Sequence, residues 1–277
     1  MIKKMLEKLK KVLTPYKPSK TPYWALSFPK SGRTWFRVLV AKAIALHFNC
    51  PKQIVLDSIE VIRSGCRKAP WLVFSHAQAD HPIPADRYPE AFNEVVLRYS
   101  LCTKKVLLLV RDPRDVLISY YYHLTSRQKQ FDGSLSEFIR DPSYGTNKVI
   151  FALNVWYQNK SRYSDFLMIR YEDLHKRPHE ELKKILRFLD LSDVSEATIK
   201  EAVNYASFEN MRRLVFNQEA KKSPFYSRIA PTNPDDPESF KVRKGKVGGY
   251  QEYLTPEDLE YVNDRVRSKL LPVFGYQ

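Results

Sequence analysis

The chain has 277 residues, 43% of them hydrophobic and 13% aromatic, enough to bury one large α/β core or two modest ones. Its formal net charge of +15 favours an anionic partner (a nucleotide, a charged substrate, a membrane face or nucleic acid), and its three cysteines, Cys50, Cys66 and Cys102, are too few and too scattered for a disulfide framework or a zinc site. No run approaches the roughly 18 apolar residues of a membrane span, and no apolar leader with a small-residue cleavage site opens the chain, so a reducing, cytoplasmic setting is expected.

Taken in chain order, residues 1–20 form a basic amphipathic segment. Ile2, Met5, Leu6, Leu9 and Leu13 share one helical face, while Lys3, Lys4, Lys8, Lys10 and Lys11 crowd the rest. Such a helix could lie on an anionic membrane surface or pack its stripe on the body of the protein, and both readings stay open. The remainder, residues 21–277, shows neither an internal repeat nor a low-complexity linker and reads as one domain.

Tyr23 to Phe28 is a strand pattern, followed by the loop Lys30, Ser31, Gly32, Arg33 and Thr34 and by a helix with Trp35, Val38, Leu39 and Ala43 at helical spacing. A strand-loop-helix unit whose loop offers amides, an ammonium, a guanidinium and hydroxyls, and no acid, is suited to an anion, although a simple capped helix start has the same composition. The triphosphate-binding order Gly-Lys-Ser/Thr is absent, because Lys30 precedes Gly32.

Further strands are expected at Ile54–Leu56, Trp71–Ser75, Val106–Val110 and Phe166–Tyr171, with helices at Asp115–Ser126, Val149–Tyr157 and Pro178–Leu189. Strands alternating with helices predict an α/β fold with a mainly parallel sheet covered on both faces, and ligands in such sheets sit beyond the carboxyl ends of the strands. The informative loops are then those after Phe28, Ser75, Val110 and Tyr171. Arg111 is the first residue beyond Val110, where a magnesium-dependent nucleotide enzyme would more naturally carry an aspartate. Arg111 in that place suits a metal-free anion site, or else a surface pair with Asp115. Gln218 to Arg243 is rich in Pro, Ser, Asn and Asp and reads as a long surface loop, a candidate lid; Arg243 to Gly248 is a flexible basic turn.

The segments Ser27-Phe28-Pro29-Lys30-Ser31-Gly32-Arg33-Thr34-Trp35, Arg111 with Ser119, and Arg243-Lys244-Gly245 resemble, in order and spacing, the nucleotide-binding segments of sulfotransferases that use 3′-phosphoadenosine 5′-phosphosulfate (PAPS). Arg33 stands where that family usually has Thr, and Gly249-Tyr250 where Asp-Trp is usual. The resemblance implies a single α/β domain of the nucleotide-kinase-like, P-loop-related kind, with about five parallel strands. It also implies that PAPS is the co-substrate, that no metal is needed, and that sulfuryl transfer goes to a hydroxyl or amine acceptor.

By the same resemblance, Lys30, Ser31, Gly32 and Thr34 hold the 5′-phosphosulfate, where Arg33, outside the usual pattern, either adds a second cation or points out to solvent, and Arg111, Ser119, Arg243, Lys244 and Gly245 hold the 3′-phosphate. Trp35, Tyr171, Ser207, Phe208 and Met211 border the adenine, with Ala206 in place of a usual Thr. Lys30 would neutralise charge on the leaving oxygen, with Ser119 restraining it until acceptor arrives. His76, at the end of Trp-Leu-Val-Phe-Ser-His, would be the general base, since a neutral imidazole can take a hydroxyl proton near pH 7. His81 and Asp80 are rivals for that role. The family's dimerisation segment is only partly echoed, with Gln251 and Pro256 out of pattern.

The basic excess leans towards a glycan or lipid-linked glycan acceptor, with peripheral membrane contact through residues 1–20. A nucleotide or sugar kinase of related fold would show magnesium and ATP dependence. A nucleic-acid-binding module has only the net charge and Tyr120–Tyr122 behind it, so nucleic acid is not expected as a partner.

Overall fold

A computed structural model of the chain describes residues 23–50, 69–216, 221, 230 and 245–277. The basic segment 1–20, the expected strand Ile54–Leu56, Cys66, Arg243 and Lys244, and all but two isolated positions of the proline-rich loop lie outside the described residues.

The described part is an α/β domain built on four parallel strands: β1 (Tyr23–Ser27), β2 (Leu72–Ser75), β3 (Lys105–Val110) and β4 (Asp165–Arg170). Their order across the sheet is β2-β1-β3-β4. Helix α1 (Arg33–His47) follows β1, α2 (Tyr88–Arg98) follows β2, and α3 (Pro113–Tyr122) follows β3. Next come α4 (Leu135–Arg140) and α5 (Thr146–Gln158). After β4 the chain runs through α6 (Tyr171–Lys176), α7 (Pro178–Phe188), α8 (Glu196–Tyr205), α9 (Phe208–Phe216) and α10 (Pro256–Lys269).

Strand side chains alternate between faces, and here both faces are dry. Ala25, Leu107, Leu109 and Ile169 pack with α1, α7 and α8 on one side. Trp24, Leu26, Val106, Leu108 and Val110 pack with α2, α3, α5 and α10 on the other. This is why the central strands are continuous apolar runs rather than alternating ones.

Some boundaries differ from the sequence reading. Tyr171 does not end β4 but opens α6. Helix α3 begins at Pro113, because the Asp112 carboxylate accepts the Arg114 amide and Pro113 suits the first helical position. It ends at Tyr122, where the backbone loosens into a π-helical turn at His123–Arg127. Four strands stand among the described residues where about five were expected.

The strand order carries a functional consequence. From β1 the chain goes to β2 on one side, then crosses back to β3 on the other. The crevice between the carboxyl ends of β1 and β3 is therefore a topological switch point. The loops that meet there begin at Phe28 and Arg111, with His76 beyond the neighbouring β2.

Candidate functional site

A cleft of about 410 Å³ opens at this point, within the range of nucleotide-sized pockets. The loop after β1 makes its floor. Lys30 (φ 70°) and Gly32 (φ 90°) are both left-handed, which turns the chain sharply enough to aim the start of α1 into the cleft. Gly32 could not be another residue: an added Cβ would stand 2.4 Å from Cδ2 of Tyr171. The first turn of α1 contains no acid and no side-chain cap, so its amide end is left for an anion. Lys30, Gly32, Arg33, Thr34 and Trp35 all line the cleft. Ser31 does not; it is fully buried and its hydroxyl has no partner among the described residues.

Arg111 is held from several sides. One terminal nitrogen donates to the Lys30 carbonyl (3.4 Å), the other to the Lys246 carbonyl (3.0 Å), and the guanidinium lies 4.5 Å from the Tyr171 ring centre. It also pairs with Asp115 at 3.4 Å; Asp115 is buried and Arg111 partly so, at the cleft wall. Asp115 in turn accepts the Gly248 amide (2.9 Å) and the Tyr250 amide (3.1 Å), which docks the C-terminal turn onto α3. The Nε of Arg111 is buried with no partner among the described residues, a donor that a bound anion would satisfy. Ser119, two turns into α3, lines the same wall.

The other end of the cleft is flat and apolar. Trp35 donates its indole N–H to the Ala206 carbonyl at 2.7 Å and meets Tyr171 edge-on at 5.5 Å, so its ring is locked. Burial raises the Tyr171 hydroxyl above its ordinary range, with Arg111 pulling it back down. Ser207, Phe208 and Met211 complete this end; the Ser207 hydroxyl also accepts the Asn210 amide at the start of α9. Gly245 (φ 61°) sits against the Phe208 ring, where a Cβ would approach to 2.5 Å.

His76 lines the cleft just past β2. Its Nδ1 is 2.6 Å from the Ser27 carbonyl oxygen, which can only accept, so the ring proton of the neutral form belongs on Nδ1 and Nε2 is the accepting nitrogen. This geometry follows from the sheet register: Leu26 pairs with Ser75, which brings the next residues, Ser27 and His76, side by side. Ala77 (φ 46°) and Gln78 (φ 65°) are both left-handed, at a cost of about 1 to 3 kcal/mol each. The rivals Asp80 and His81 lie 4.0 Å apart on the surface and do not line the cleft.

Among the lining residues the cations are Lys30, Arg33, Arg37, Arg111 and Lys246, against Asp115 as carboxylate. That imbalance and the pairing of a cationic end with an aromatic end suit a polyanionic nucleotide. Arg37, His123, His175, Asn204 and Tyr253 also line the cleft and were not picked out from the sequence. His175 and Asn204 could have been sought one helical turn beyond Tyr171 and just before Ala206. Arg37 gave no signal, because an arginine at the second turn of an apolar helix looks like a solvated position, yet it is buried with its guanidinium 4.3 Å from the Phe74 ring centre. No group of three or more potential metal ligands occurs among the described residues.

A family model described as the sulfotransferase domain matches residues 20–272. Cytosolic sulfotransferase 10 of Arabidopsis thaliana is 26% identical, covering 96% of this chain and 83% of its own. Sulfotransferase 1B1 of Mus musculus is 24% identical over 88% of this chain and 81% of its own. Among solved structures, mouse sulfotransferase SULT7A1 complexed with PAP superposes with a TM-score of 0.61 at 18% identity, covering 95% of this chain and 89% of its own. Retinol dehydratase in complex with androsterone and inactive cofactor PAP gives 0.55 at 17% identity, covering 94% and 84%. These structural likenesses are likenesses of fold.

Proposed function

The chain belongs to the sulfotransferase family, and on that premise we propose that it transfers a sulfuryl group from PAPS to a hydroxyl or amine, leaving adenosine 3′,5′-bisphosphate. The observation that carries this reading is the junction of the Lys30 turn with Arg111 at the switch point, with His76 at the neighbouring strand end. PAPS supplies the activated sulfuryl group; the protein's work is alignment and charge stabilisation.

Lys30, Arg33, Thr34 and the first amides of α1 would take the 5′-phosphosulfate, with Arg33 as a second cation. Arg111, Ser119 and the turn at Gly245 would take the 3′-phosphate; Arg243 and Lys244 belong to the same assignment but lie outside the described residues. Trp35, Tyr171, Ser207, Phe208 and Met211 would border the adenine. Ser31 would act from beneath, by shaping the turn.

As the acceptor oxygen bonds to sulfur and the bridging S–O bond breaks, Lys30 neutralises the charge left on the bridging oxygen. His76 Nε2 takes the acceptor proton, and Ser119 restrains Lys30 before that. Support for His76 over His81 comes from the Ser27 contact, which fixes the required tautomer.

For the acceptor, the net charge of +15 supports a glycan or lipid-linked glycan; retinol dehydratase, which shares the fold, has been solved in complexes with androsterone and with retinol. A cytosolic location is supported by the plant relative, a cytosolic sulfotransferase. Residues 1–20 would supply any membrane contact. Self-association through Gln251–Glu260 is not part of this reading, since Pro256 starts α10 there.

The test is transfer of labelled sulfate from PAPS into an extract treated with EDTA, followed by identification of the labelled species. Labelled glycan, formed despite the chelator, is the expected result. A labelled small apolar alcohol would overturn the acceptor assignment, and a sulfate transfer abolished by EDTA and restored by magnesium would overturn the metal-free reaction.

A further inference from the structure

The segment after His76 is held by a buried pair of side chains that the proposed chemistry does not use. Tyr88, the first residue of α2, is completely buried and donates its hydroxyl to the Ala77 carbonyl at 2.8 Å. Lys148, on α5, is also completely buried; its ammonium donates to the Ile83 carbonyl at 2.6 Å and lies 4.4 Å from the Tyr88 ring centre. The two ends of the loop from Ala77 to Ile83 are therefore tied to one lysine-tyrosine contact. Within the loop, Ala77 N–H donates to the Ser75 hydroxyl, Ala79 N–H to the His76 carbonyl and His81 N–H to the Gln78 carbonyl.

The bond from the Ala79 amide to the His76 carbonyl closes a tight turn whose two central residues, Ala77 and Gln78, are both left-handed, a conformation that residues with a Cβ avoid. The contacts at Ala77 and Ile83 tie that turn to the body of the protein. A buried lysine is disfavoured unless its charge is met, and here it is met by a carbonyl and an aromatic face instead of a carboxylate in contact.

We propose that Tyr88 and Lys148 are positioning residues, a clamp that holds the His76 loop so that Nδ1 stays on the Ser27 carbonyl and Nε2 faces the acceptor. The proposal rests on the reading of His76 as general base. It adds that the base is oriented from the far side of the sheet edge, by residues 12 and 72 positions along the chain.

The clamp predicts a tautomer as well as a rate. Nitrogen-15 spectra of histidine-labelled protein, saturated with adenosine 3′,5′-bisphosphate, should show neutral His76 as the Nδ1–H form. Tyr88→Phe, which keeps the ring, and Lys148→Met should each shift it towards a mixture with the Nε2–H form and lower kcat roughly tenfold or more, while the dissociation constant of adenosine 3′,5′-bisphosphate changes less than about twofold. In a His76→Ala background, adding Tyr88→Phe should change the rate less than about twofold.

An unchanged tautomer in both variants overturns the clamp, as does the same fold-loss with and without His76. If His76→Ala itself leaves the rate intact while the tautomer shifts as described, the base reading fails and the clamp survives only as a structural tie, so the two failures are distinguishable.

Discussion

At the scale of single residues, two roles must be kept apart: a group that moves a proton and a group that holds the nucleotide. His76→Ala should lower the sulfuryl-transfer rate by roughly 10² to 10⁴ with nucleotide affinity nearly unchanged, whereas Lys30→Ala should damage both. Retention of more than about a tenth of the rate by His76→Ala would reject it as the base. Lys148 makes a second prediction, in stability. Burial lowers its pKa from 10.5 to about 8, against an upward pull from Asp80. The unfolded chain then binds more protons than the folded one between these values, so stability attributable to Lys148 rises as pH climbs through that window. Between pH 7 and pH 9 the gain should be about 1 to 1.5 kcal/mol. Urea midpoints of the wild type should show it and those of Lys148→Met should not; parallel profiles would refute the assignment. The window closes near pH 10, where tyrosines raised by burial, such as Tyr120 and Tyr163, begin to favour the unfolded chain.

At the scale of elements, the turn between β1 and α1 is the place where shape is least negotiable. Gly32→Ala combines a left-handed backbone with a Cβ inside the Tyr171 ring, while Gly248→Ala has a similar φ of 74° and nothing within 4 Å. Gly32→Ala should therefore cost upwards of about 1 to 3 kcal/mol and more than a tenfold loss of nucleotide affinity. Gly248→Ala should show the backbone cost alone, and comparable effects by calorimetry would contradict the packing argument. The strands β1, β3 and β4 were legible in the sequence because sheets covered on both faces bury unbroken apolar runs. Arg111 and His76 were legible because strand ends point at ligands in such folds. Helix α2 was not, since Tyr88 to Arg98 carries Pro, Asn, two Glu and Arg and declares its buried stripe of Tyr88, Phe92, Val95 and Val96 only against α5. Tyr171 was placed one residue too far along its strand, a boundary decided by hydrogen bonding and not by hydropathy. Lys148 and Arg37 were invisible for a different reason: a lone cation in a helix reads as solvated, and only tertiary contacts over 60 residues or 37 residues of chain bury it.

At the scale of the whole molecule, a basic cleft with one carboxylate should make the protein a discriminating nucleotide binder. Adenosine 3′,5′-bisphosphate should raise Tm clearly, and adenosine 5′-phosphate far less, if Arg111 and Ser119 address the 3′-phosphate as proposed. Arg111→Ala should erase most of that difference, weakening the bisphosphate by about 2 to 4 kcal/mol. Equal shifts with both nucleotides in the wild type would sink the assignment. The same arginine bears on how the molecule is made. It reaches back 81 residues to Lys30 and forward 135 to Lys246, and Trp35 leans on Ala206, 171 residues away. Synthesis runs from the N-terminus, so the first two walls of the cleft leave the ribosome while its last wall is still untranslated. The nucleotide thus finds no complete seat on a nascent chain; it can reward only a finished one, and its effect in the cell should fall on the lifetime of released protein and not on the course of its translation.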